Sequence, residues 1–231
     1  MMRANMNKYS LLKNIEKSKQ GFTLVELAIV LVIIGLLLAT FLTPLTAQMA
    51  IRNNSETRAD LNEIREALVG YALSHSAADG RPFLPCPDTD ADGIENRLGA
   101  LCANVRGRLP FSDLGLDGID SWGNQFTYQV TQTFANSATG FILASAGDIT
   151  VLNSADGNAI AISIPAIVVS LGENGAVMPA VGADQLENTN LDNFYVNKDF
   201  AENAVNPYDD LVTWVSANIL MNRMVRAGRL P

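Results

Sequence analysis

Sixteen consecutive residues, Leu27–Leu42, read LAIVLVIIGLLLATFL without one charge. Glu26, directly before them, is the only charged residue between Lys19 and Arg52. From Phe22 to Thr43 the chain could form roughly 33 Å of helix at about 1.5 Å per residue. That matches a bilayer hydrocarbon core of about 30 Å. The residues before it carry Arg3, Lys8, Lys13, Lys17 and Lys19 against Glu16. A leader this basic stays cytoplasmic and sends the C-terminal part outward. A carboxylate at the edge of such a run is costly in lipid and is read first as a functional group with a partner.

Two bland readings compete. A signal anchor would hold Glu26 at the interface with no further role. A cleaved secretory signal would need a shorter apolar region and a small-x-small site after it. Ala47-Gln-Met-Ala50 is a weak candidate for that site.

Lys17-Ser-Lys-Gln-Gly21-Phe22-Thr-Leu-Val-Glu26 resembles the type III signal sequence of type IV pilins and type II secretion pseudopilins. The resemblance implies cleavage by prepilin peptidase between Gly21 and Phe22 and N-methylation of Phe22. It makes Glu26 the acidic fifth residue of the mature chain, which in that family pairs with the N-terminal amine of a neighbouring subunit during assembly. Other pilin or pseudopilin subunits, prepilin peptidase, an inner-membrane assembly platform and membrane lipid are the implied partners. The implied fold is α+β and pilin-like: a long N-terminal helix, half membrane-spanning and half amphipathic, packed on an antiparallel sheet.

The rest of the chain fits that plan. Leu61, Ile64, Leu68 and Tyr71 form an apolar stripe at helical spacing. The expected organisation is a leader over 1–21, a membrane helix over 22–43, a helix continuation over 44–78 and a periplasmic α+β domain over 79–231. Pro44 should bend the helix, and polar small residues around Ser76–Gly80 should end it. Asp120-Ser-Trp-Gly-Asn-Gln-Phe-Thr-Tyr128 resembles the Asp-Pro-Trp-Gly-Asn-Pro stretch of major pseudopilins, with Ser121 and Gln125 where prolines are usual. Trp122 is expected in the core. Strands are expected at Phe126–Val130, Phe141–Ala146, Ala159–Ile164, Ala166–Leu171 and Leu211–Val215. A long loop is expected over 180–205, and a final helix from Ser216 to Arg226, ended by Gly228.

Composition narrows the function. Beyond the leader there are 11 basic and 23 acidic residues. That balance disfavours a nucleic-acid partner, which needs a basic surface. His75 is the only histidine and is expected in solvent, so a His-based hydrolase is disfavoured. No enzyme activity is expected.

Cys86 and Cys102, the only cysteines, are expected to pair in an oxidising periplasm. Between them Asp88, Asp90 and Asp92 alternate and Gly93 and Glu95 follow, the opening of a calcium loop without its twelfth-position Glu. A calcium site of Asp88, Asp90, Asp92 and Glu95 competes with an Asp-rich turn bonded to its own backbone. Asp113, Asp117 and Asp120 form a less regular acidic cluster. The resemblance to major pseudopilins adds Asp209 and Asp210 as rival calcium ligands. A membrane-tethered periplasmic module that binds or adheres through calcium is the alternative function.

Overall fold

The computed structural model describes residues 21–175, 180–202 and 205–231, without the side chains of 39–47. The leader charges therefore lie outside the described residues. The chain divides into two compact units, Met1–Gln48 and Met49–Pro231. Helix α1 runs from Leu24 to Ser74, so Pro44 does not end it. Among the described residues no helix is long and apolar enough to cross a membrane. The side chains that would complete the expected span, 39–43, are not among those described.

In the second unit the expected helical stripe is the buried face of α1. Leu61, Ile64, Leu68 and Tyr71 are all buried, joined by Val69 and Ala72. This face lies on a four-stranded antiparallel sheet ordered β3-β4-β7-β9: β3 Arg106–Arg108, β4 Thr127–Val130, β7 Ala166–Ser170 and β9 Leu211–Val215. Alternation along each strand divides its side chains between two cores. Tyr128, Val130, Ala166, Val168, Leu211 and Val215 join α1. Ile167, Val169 and, partly buried, Val212 and Trp214 face the other way. There they meet a second sheet, β6-β5-β8, of β5 Ile149–Leu152, β6 Ala159–Ile164 and β8 Phe194–Val196. Strand β7 is buried on both faces, which is why it reads as an unbroken apolar run. The β5–β8 pair is parallel, so this smaller sheet is mixed.

The remaining elements are a short hairpin, β1 Arg97–Leu98 and β2 Leu101–Cys102, and helices α2 Phe111–Leu114, α3 Ala183–Thr189 and α4 Ala217–Arg226. Helix α4 matches its expected span, although the Ser216 side chain makes no cap bond. Trp122 packs, partly buried, against the main core.

Three expectations fail for identifiable reasons. The helix ends at Ser74, short of Ser76–Gly80: Arg81 draws the chain into a turn through Ala77 N–H on its carbonyl, with Asp79 bonding the Arg81 N–H. Phe141–Ala146 is a turn. Phe141 is buried beside Phe134, but the backbone folds back through Ser145 N–H to the Ile142 carbonyl and finds no strand partner. The span 180–205 holds α3 and β8 rather than a structureless loop. Helix α3 escapes a hydrophobic pattern search because the side chains it buries are polar: Asp184, Gln185 and Asn188.

Candidate functional site

At the N-terminal end Gly21, Phe22 and Thr23 precede α1 in irregular, exposed backbone. Helix entry is fixed by a capping box. The Thr23 Oγ1 accepts the Glu26 N–H at 3.1 Å, and Glu26 Oε2 accepts the Thr23 N–H at 2.9 Å and the Thr23 hydroxyl at 3.0 Å. Sequence reasoning took Glu26 as an assembly residue and overlooked this second role, although Thr-x-x-Glu was its visible signal. Phe22 is 87% exposed. A side chain built on Gly21 would meet nothing within 4 Å among the described residues. No described neighbour therefore requires glycine there.

Cys86 and Cys102 are disulfide-bonded, with Cα atoms 5.2 Å apart at a sequence separation of 16. Under this bridge Glu95 serves as an internal anchor. It accepts the Cys86 N–H at 2.7 Å and the Tyr71 hydroxyl at 3.2 Å, and it pairs with Arg97 at 2.8 Å. Arg97 in turn donates to the Ala135 carbonyl and lies over the Phe83 ring. The bridge closes the 86–102 loop, and the Tyr71–Glu95 bond ties the end of α1 to it. Replacing both cysteines by alanine should lower unfolding free energy by about 3 kcal/mol, the loop-closure figure for a ring of this size. Denaturant titration of wild type and variant checks it.

The carboxylates of Asp88, Asp90 and Asp92 do converge, with one oxygen from each inside 4.8 Å. Glu95 does not join them. Asp88 is fully buried, and both its oxygens are engaged: Oδ1 accepts the Asp90 and Ala91 N–H groups, and Oδ2 accepts the Gly93 N–H. Burial pushes the Asp88 carboxyl up, but those backbone donors outweigh it and hold the group below its ordinary range. Gly93, at φ +84°, is obligatory because a Cβ would strike the Phe111 ring and Ser112. Asp92 accepts the Ile94 N–H. The expected four-carboxylate donor set is not assembled, and the loop fits the self-bonded Asp turn better than a calcium cage.

The other candidates are equally engaged. Asp120 receives the Trp122 and Asn124 N–H groups and the Ser170 hydroxyl, and Asp113 receives the Glu95 N–H. Asp60, Glu63, Asp117 and Asp120 line a cavity of about 590 Å³. Burial, and then the charges of Glu63, Glu56, Asp117 and Asp120, push the Asp60 carboxyl up. Among the described residues the Asp88 group is the one set of three whose oxygens come within metal-binding reach of one another. Asp209 accepts the Asn174 N–H and the Gln185 amide, and Asp210 accepts the Asn188 amide at 2.7 Å. His75 is exposed and stacked on Tyr71 at 3.8 Å. Its Nδ1 lies 3.0 Å from Ser74 Oγ, but that hydroxyl is spent on the helix carbonyls of Gly70 and Tyr71.

What distinguishes this chain is its N-terminal end: an exposed Gly21–Phe22 junction leading at once into a capped apolar helix. At this end the chain resembles a type IV pilin-like substrate of prepilin peptidase. Residues 17–42 match the prokaryotic N-terminal methylation motif, the signature of type IV pilins and pseudopilins. No curated protein and no solved structure matches the chain.

Proposed function

We propose that this chain is a structural subunit, a minor pilin or pseudopilin. It is cleaved after Gly21, N-methylated at Phe22 and assembled into a type IV pilus or a type II secretion pseudopilus. The observation that carries the reading is the methylation motif over 17–42, continuous with the exposed Gly21–Phe22 junction. Before assembly the chain is a single-pass inner-membrane protein whose C-terminal domain faces the periplasm. Its apolar helix, bearing exposed Leu24, Leu31, Val32 and Leu36, packs against neighbouring subunits or lipid. Glu26 meets the amine of a neighbour's Phe22 there, releasing the bond to its own Thr23 N–H or sharing its second oxygen. The chain performs no catalysis. Filaments sheared from cells should contain it. Recovery only from the inner membrane, in cells that assemble filaments, would remove the proposal. Secretion and twitching assays in a deletion strain distinguish the two machines.

The calcium-dependent module draws on one observation, the convergence of Asp88, Asp90 and Asp92. Withdrawal of Glu95 and the saturation of Asp88 by backbone donors make it the weaker reading.

A further inference from the structure

Beyond the leader every basic side chain is an arginine except Lys198. Arginine holds its proton in any protein environment, whereas lysine can lose one and become a nucleophile. The one lysine stands against a buried carboxylate that also holds a carboxamide. Asp184, in the first turn of α3, is 2% exposed. Its Oδ2 accepts the Lys198 Nζ, and the same oxygen accepts the Asn206 Nδ2 at 2.9 Å. Asn206 Oδ1 accepts the backbone N–H of Asp184 at 3.2 Å, and Asp184 Oδ1 is fixed by the Ala155 N–H at 2.7 Å. The buried Tyr208 ring lies 5.2 Å from Nζ. Gly182, at φ +91°, admits the carboxamide: a Cβ there would come within 2.5 Å of Asn206 Oδ1.

A simple ion pair accounts for Lys198 and Asp184. It does not account for a carboxamide anchored at both ends, nitrogen on the lysine's own partner oxygen and oxygen on a backbone N–H. That is the arrangement of a nucleophile, an acyl carbon, a proton carrier and an oxyanion donor. We propose that Lys198 and Asn206 join in an intramolecular isopeptide bond, with Asp184 as the proton carrier.

Asp184 Oδ2 takes a proton from the Lys198 ammonium. The freed Nζ lone pair attacks Asn206 Cγ, and the carbonyl electrons move to Oδ1 under the Asp184 N–H. Asp184 returns the proton to Nδ2, the Cγ–Nδ2 bond breaks and the carbonyl re-forms. Lys198 gives up two protons in all, and both leave with the former carboxamide nitrogen as ammonium. One amide replaces another, so no oxidant or cofactor is required. Burial pushes the Asp184 carboxyl up, but Lys198, the Ala155 N–H and Asn206 outweigh it, so the group begins as the ionised base the first transfer needs. Amide exchange is slow between free molecules, but held partners reach effective concentrations of about 10⁵–10⁸ M, and one turnover per molecule suffices.

The test is peptide mapping of the exported chain by trypsin and mass spectrometry. The expected result is a missed cut after Lys198, a branched peptide joining Lys198 to Asn206, and the loss of one ammonia. Lys198→Arg, which keeps the ion pair, should give linear peptides and no loss, and so should Asp184→Asn. Linear wild-type peptides with intact Lys198 and Asn206 would overturn the proposal. So would an ammonia loss that persists in Lys198→Arg, which would belong to a succinimide such as Asn174-Gly175.

Discussion

Glu26→Gln should leave the chain inserted, cleaved and helical, and should lower its incorporation into filaments by on the order of a hundredfold. Glutamine can still close the capping box with Thr23, because that box needs an acceptor and not a charge. What it cannot do is neutralise a neighbour's N-terminal amine in lipid. Removing one member of a desolvated ion pair strands the other, and the loss in association is correspondingly large. Glu26→Ala should do the same and also lose the Thr23 bonds. Thr23→Ala, which removes the hydroxyl side of the cap alone, should change incorporation far less. The measurement is the fraction of subunit in sheared filaments against total membrane subunit. Normal incorporation of Glu26→Gln would assign Glu26 to the cap and to nothing else.

The globular domain should lose stability as pH rises from about 4 to about 7. Asp210 is 4% exposed. Burial pushes its carboxyl up to about 7, with the Asn188 amide opposing and the charge of Asp209 reinforcing. The folded-state value exceeds the unfolded one of about 3.9. Between them the unfolded chain has released a proton that the native chain retains, so unfolding becomes easier as pH rises. The full span corresponds to about 4 kcal/mol at 1.36 kcal/mol per pH unit. Asp209, also pushed up by burial, acts in the same direction. Asp210→Asn should flatten the profile while Asn188 keeps its bonds to the Val196 carbonyl and N–H. Urea titrations at a series of pH values measure this, and a wild-type profile that rises through this window would contradict it.

The parts of the fold that were legible in the sequence are those where apolar side chains make the contacts. The stripe from Leu61 to Tyr71 and the run Ala166–Ser170 announced the α1 face and the central strand because their burial is hydrophobic. Helix α3 was illegible because Asp184, Gln185 and Asn188 are buried by hydrogen bonds and look like loop residues in a pattern of hydropathy. Phe141 misled in the opposite sense: an apolar residue can be buried from a turn as well as from a strand. The acidic loop illustrates a limit on reading ligands from spacing. Spacing brought Asp88, Asp90 and Asp92 together, but it could not show that backbone N–H groups had already claimed Asp88 or that Arg97 had claimed Glu95. Lys198 is the sole lysine beyond residue 21, yet only its contact with Asp184, whose same oxygen holds the Asn206 amide, gives it a chemical setting.

The central claim concerns the covalent structure of the N-terminus, and mass spectrometry of the mature chain tests it most directly. The account predicts a chain beginning at Phe22 with a methyl group on its amine. A leader still attached in cells with an active prepilin peptidase, or a cut near Ala50, would contradict it.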